Sequence, residues 1–147
     1  MVVGMARSRT PGFAAPVVTV LLDTHFLIWI VLESKRLANF SWLDRYRPWG
    51  VSPVSFLEIQ FLAEVGRLSV TNPQFINTVS NDRRFIVDDL SLDALVTHSL
   101  ELDWTRDPFD RLLVAHSLAR RVAFCTTDRL IRSRHRLLPP ELNKAQS

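Results

Sequence analysis

The sequence predicts an α/β fold with a central parallel sheet flanked by helices. Three observations carry the α/β expectation. Residues 17–22 are apolar or β-branched throughout, as in a strand buried on both faces. Two further strand-like stretches lie at 50–55 and 122–126, separated by helical patterns. Strands that alternate with helices pair in parallel, because each return needs a crossover.

The elements follow in order. Asp23-Thr24 ends the first run, and an apolar helical segment at 26–32 follows directly. Leu37, Phe40, Leu43 and Tyr46 are spaced as on a helix, which Pro48 ends. After the second strand, Ser55 reads as a helix cap with Glu58 three residues on, a capping box, and Gly66 reads as the stop. Asn72-Pro73 opens another helix, and 85–87 is short and extended. Ser91 caps a helix over 92–102, and 103–106 is a loop. Asp107-Pro108 pairs an N-cap with proline at the first helical position, and the helix runs to 121. Asp128 follows the last strand and opens a helix over 129–134. The expected organisation is a disordered extension at 1–16, one domain at 17–138 and a flexible tail at 139–147.

A chain of 147 residues can bury a core of its own in one domain. The single cysteine, Cys125, excludes an intrachain disulfide and a cysteine-based zinc site. It lies in an apolar run, so it reads as a small buried residue in a reducing, cytoplasmic compartment. Arg7 and Arg9 precede an uncharged stretch that looks like a signal peptide in outline. Pro11 and Pro16 interrupt it, and a span over 10–32 would bury Asp23 at high cost, so no membrane is expected. The net charge is +3 and only Lys35 and Lys144 are lysines. Arginine's planar fork suits phosphate, so a polyanionic partner fits, although base composition of the gene gives the same bias.

Sites in open parallel sheets form at the carboxyl ends of strands. Asp23 and Asp128 follow the first and last strands, and Glu58 and Asp110 sit in first helical turns. Helix capping and the macrodipole explain Glu58, Asp107 and Asp110 as readily as function does. Asp23 is different. It is flanked by apolar runs, and a partly buried carboxylate is costly unless paired or metal-bound. Clustered carboxylates also repel one another unless a cation is present, and hard oxygen donors suit Mg2+ or Mn2+.

Leu22-Asp23-Thr24-His25, Val54-Ser55-Phe56-Leu57-Glu58-Ile59, the run from Asp107 to Ala115 and Thr126-Thr127-Asp128 resemble, in order and spacing, the four motifs of PIN domains. The closest similarity is to the PilT N-terminus type that includes VapC toxins, and Gly66-Arg67-Leu68 suits that subgroup. The resemblance covers roughly 18–134. The chain departs from the family in its lead-in before Val17 and in Leu57, where tryptophan is common.

The resemblance implies a PIN-like three-layer fold and a metal-dependent endoribonuclease, a hydrolase that leaves a 3′-hydroxyl and a 5′-phosphate. It implies Mg2+ (or Mn2+) on Asp23, Glu58, Asp110 and Asp128, with Asp107, Thr24 and Thr127 as accessory residues. It also implies an RNA substrate, a small antitoxin of a toxin–antitoxin pair and a homodimer. Arg106, Arg111, Arg129 and Arg132 are the candidate RNA contacts, against the plainer reading of a solvated arginine face. Trp104 suits base stacking or the core equally. His116, on a helix, reads as a satisfied polar residue or a partner contact rather than a ligand. The competing reading is a nucleic-acid-binding or regulatory module with little catalysis. A haloacid-dehalogenase-like phosphatase would need a second aspartate where His25 stands.

Overall fold

Four three-residue strands make one parallel sheet in the order β3-β2-β1-β4. They are β1 (Val20–Leu22), β2 (Trp49–Val51), β3 (Phe85–Val87) and β4 (Ala123–Cys125). The coordinates are a computed structural model that describes residues 17–144. Leu21 pairs with Gly50 on one side and Phe124 on the other, and Gly50 pairs with Ile86. Gly50 is required by that packing. A Cβ there would collide with the Val18 side chain and stand 2.9 Å from the Val20 carbonyl oxygen.

The pleat sends alternate residues into two cores. Val20, Leu22, Trp49, Val51 and Cys125 join one with α1 (Thr24–Val31), α2 (Pro53–Glu64) and α3 (Gln74–Ser80). Leu21 and Phe124 join the other with α5 (Pro108–Arg120) and α6 (Arg129–Arg134). α4 (Leu92–Ser99) packs on α5. Helices on both faces are what lets an all-parallel sheet stay dry. No helix among the described residues is long and apolar enough to cross a membrane.

The structure corrects several expected boundaries. Residues 35–46 form two short 3₁₀ turns joined at a kink at Phe40, not an α-helix. The second strand ends at Val51, and Ser52 rather than Ser55 caps the helix that follows. Pro53 at the first helical position fits a start there, since its fixed φ is helical and its missing N–H is not needed. Ser55 lies inside α2 and is buried. Residues 85–87, expected only as extended, form the edge strand β3.

The expected tail at 139–147 is also revised where it is described. Pro140–Lys144 is a short helix, α7. Leu142 is buried in the first core, and Glu141 accepts hydrogen bonds from Arg45 at 2.6 Å and from the Tyr46 hydroxyl at 2.7 Å. The expected extension at 1–16 lies outside the described residues.

Two buried histidines tie elements together. His116, on α5, has Nδ1 2.8 Å from the Ser52 hydroxyl and Nε2 2.8 Å from Asp88 Oδ2. It is a satisfied polar residue, as the plainer reading had it. Arg120 adds a second contact to Asp88 at 2.7 Å. Burial pushes the Asp88 carboxyl upward, but His116 and Arg120 outweigh it and hold the carboxyl below its usual range. His135 has Nε2 2.9 Å from Ser117 Oγ, and burial lowers its pKa to about 4.

That depression makes His135 an acid-sensitive point. Between about pH 6.5 and 4 the unfolded chain takes a proton that the folded chain refuses, so this contribution to stability is lost as pH falls through that window. His135→Gln, compared with the unsubstituted chain in urea melts, is expected to lose stability at pH 7.5. At pH 5 it recovers about 2 kcal/mol relative to the unsubstituted chain. A difference between the two proteins that does not change with pH contradicts this account.

Candidate active site

The strand order reverses at β1, with β2 and β3 on one side and β4 on the other. In open parallel sheets the crevice at such a reversal is where ligands bind. Asp23 is the first residue after β1, and its N–H donates to the Cys125 carbonyl at 2.9 Å. Asp128 follows β4 and caps α6, accepting from Ile131 N at 2.9 Å. Glu58 comes from α2 and Asp110 from the first turn of α5. The structure brings all four to one cleft of about 450 Å³, together with Asp107 and Thr127. Asp107 caps α5, accepting from Phe109 N and Asp110 N.

Asp23 is the most confined of these acids, at 6% exposure. One oxygen accepts from Thr24 N at 2.7 Å, and the other accepts from the Thr126 hydroxyl at 2.6 Å. Burial pushes its pKa up, and the Asp128 charge adds to that. Thr126, His25 and Thr24 pull the other way without cancelling it. Thr126 also accepts from Asp128 N at 3.0 Å, so one hydroxyl links the two strand-end acids. Thr126, not its neighbour Thr127, is therefore the threonine that orients Asp23. The expected accessory Thr24 does not line the cleft. It is fully buried, and its hydroxyl donates to Ser55 at 2.9 Å, tying α1 to α2.

Glu58 is also buried, and its Oε1 has no hydrogen-bond partner. Burial raises its pKa first and the Asp23 charge next, against a Thr24 contact that lowers it. Asp110 rises to about 7, through burial and then through Asp107, Asp23, Asp128 and Glu58. Among the described residues none of the five carboxylates has an ion-pair partner. The cleft therefore gathers carboxylates that no ion pair within it neutralises.

A divalent cation fits this donor set. The donors are hard oxygens, one of them a buried oxygen with no donor, and the charge to be balanced is negative. The carboxylates line the cleft without being drawn to a point. Among the described residues no three His, Cys, Asp or Glu side chains stand preassembled around an ion position.

The four arginines expected at RNA are not in the cleft lining. Arg111 turns inward, its Nε donating to the Ser99 carbonyl at 2.9 Å. Arg132 donates to the Leu142 carbonyl at 2.8 Å and so anchors α7. Arg106 and Arg129 are exposed outside the cleft. Two other arginines, Arg36 and Arg67, do line it, with Trp29, Phe61 and Phe109. No local pattern marked Arg36, whereas Arg67 lay in a stretch noted only for its resemblance. Trp104 packs against the second core.

Comparison with known proteins gives likenesses in sequence and in fold. No protein-family model matches the chain. It is 29% identical over 119 residues to Ribonuclease VapC22 of Mycobacterium tuberculosis, which covers 78% of this chain and 91% of that protein. Its fold is similar to a chain of VapBC2 from Rickettsia felis bound to a promoter DNA fragment. There the TM-score is 0.55 and the identity 16%, over 81% of this chain and 94% of that one. A chain of DNA-bound VapBC from Salmonella typhimurium matches at TM-score 0.57 and 17% identity, over 83% and 96%. The motif-based resemblance to VapC proteins therefore holds in sequence and in fold.

Two substitutions test the electrostatics of the metal-free chain. Thr126→Val removes the donor from the buried Asp23 oxygen and is expected to cost about 2 kcal/mol in urea denaturation. Asp110→Asn removes one repelling, half-buried charge and is expected to raise the melting temperature at pH 8. A lower melting temperature for Asp110→Asn would show that burial and repulsion of its charge do not cost the fold stability.

Proposed function

We propose that this VapC-like chain is a metal-dependent endoribonuclease and the toxin of a VapBC-type toxin–antitoxin pair. The observation that carries the reading is the set of acids at the sheet's switch point, contributed by the four motif segments. The similarity to a VapC ribonuclease supplies the substrate class, RNA. The structural neighbours are chains of VapBC complexes, which supports a small antitoxin as partner. The cytoplasm suits the single buried thiol of Cys125.

Asp23, Glu58, Asp110 and Asp128 would hold Mg2+ or Mn2+. Such an ion, when bound, acts as a Lewis acid on the phosphodiester and offsets the repulsion among the carboxylates. The chain's own contributions are orientation and charge. Thr126 and the Thr24 N–H fix both oxygens of Asp23, so its position does not depend on the ligand. Asp107 holds the first turn of α5 and so sets where Asp110 points. Asp110, raised to about 7, is partly protonated near neutral pH, and cation binding would displace that proton. The deep Glu58 oxygen offers an acceptor that no residue of the chain satisfies.

Two apolar stripes remain uncovered on the outside. Leu57 on α2 and Val65 at its end are exposed, as are Leu92 and Val96 on α4 and Leu100 at its end. These are the faces available to the antitoxin and to a second copy of the chain.

Asp23→Asn and Asp110→Asn, purified from a nuclease-deficient host, are expected to lose more than a hundredfold of Mg2+-dependent cleavage of RNA while staying folded. EDTA is expected to abolish cleavage by the unsubstituted chain. Mn2+ is expected to raise its melting temperature and to have a smaller effect on either variant. Full cleavage by either variant would overturn the assignment.

A further inference from the structure

Away from the carboxylates the cleft changes character. His25 and Trp29 stand four apart on α1, and Glu58, Phe61 and Leu62 stand three and four apart on α2. Each helix thus turns one stripe toward the cleft. At 1.5 Å of rise per residue, Trp29 and the end of α2 are on the order of 10 Å along these helices from the acids.

Arg36 and Arg67 line the cleft through the segments that follow these two helices. The Arg36 guanidinium lies over the Trp29 ring, 5.5 Å from its centroid, and Ser34 fixes its backbone by accepting from Arg36 N at 3.1 Å. Arg67 follows a reversal at Gly66, whose φ is 80°, and its N–H donates to the Leu62 carbonyl at 2.9 Å. Among the described residues neither side chain has an ion-pair partner, although five carboxylates line the same cleft. Phe61 is 47% exposed, and its ring meets that of Phe109 at 5.7 Å.

We propose that this end of the cleft is a subsite for single-stranded RNA, in which Arg36 and Arg67 hold backbone phosphates and Phe61 stacks on an unpaired base. The proposal rests on the ribonuclease reading. The acids themselves offer a phosphate no attraction, so the strand on either side of the scissile position needs phosphate contacts beyond them. Stacking of Arg36 on Trp29 pre-orients its fork, and a half-exposed aromatic ring gives a base a face without reading its identity. Stacking on Phe61 requires an unpaired base, so this end selects against a duplex.

The test uses the full chain in Mg2+ with Asp110→Asn as the non-cleaving background and a fluorescent single-stranded RNA as the probe. Affinity is measured across a salt series with and without R36Q and R67Q together. Loss of two phosphate contacts is expected to make the slope of log affinity against log salt shallower by about 1.4, and R36K with R67K to restore it. Phe61→Ala is expected to weaken binding of single strands about tenfold and to leave duplex binding unchanged. An unchanged slope in the glutamine variant, or equal loss for duplex with Phe61→Ala, overturns the subsite. Cleavage by the unsubstituted chain alongside an unchanged slope leaves the nuclease reading standing. A shallower slope with no cleavage by the unsubstituted chain keeps the subsite and overturns the nuclease reading.

Discussion

The confinement of the Asp23 carboxylate between two adjacent strand ends governs how the rest of the structure is arranged. Removing such a group from water costs of order several kcal/mol unless hydrogen bonds replace the lost hydration. The fold supplies one at each oxygen, from Thr24 N and from the Thr126 hydroxyl. The Thr24 donor is local, but the Thr126 donor needs β1 and β4 to lie side by side in register, with Leu22 opposite Cys125. The sheet's switch point is therefore tied to this carboxylate by hydrogen bonds as well as by topology.

The same economy of short polar contacts sets the remaining acids. Three-residue strands have few ladder hydrogen bonds, so the helices must be held by other means. Thr24 to Ser55 joins α1 to α2. Ser52 to His116 joins the start of α2 to the middle of α5, and His116 to Asp88 joins α5 to the end of β3. Each contact is buried or nearly so, where a broken hydrogen bond is most costly. The helices that present Glu58 and Asp110 are fixed to each other and to the sheet by residues that do not themselves line the cleft. The cleft itself can then carry unneutralised charge without the scaffold shifting.

Much of this was legible in the sequence, and the limits are physical. The strand ending at Leu22 and the acid after it were readable because a β-branched run and a polar stop are local signals. Asp128 was readable for the same reason. Asp110 was not, because only the packing of α5 brings it to the cleft, and the motif resemblance stood in for that packing. Ser55 fits a cap in sequence because Ser-x-x-Glu is a capping pattern. Ser52 won because it precedes Pro53, and Ser55 was needed as the partner of Thr24. Thr126 and Thr127 cannot be told apart locally, since which one points inward depends on strand register. Arg111 and Arg132 looked like surface charges in sequence but satisfy backbone carbonyls. Arg36 reaches the cleft only through the turn after α1.

Three of the cleft's acids have a second occupation. Asp23, Asp107 and Asp128 are each the N-cap of a helix, whereas Glu58 and Asp110 cap nothing. A descendant released from selection for chemistry would still be under selection to fold. It would keep the three capping aspartates and let Glu58 and Asp110 drift first, all the more readily because replacing either relieves charge. In a lineage of such chains, loss of activity would be recorded at positions 58 and 110, while an intact trio at 23, 107 and 128 would testify only to an intact scaffold.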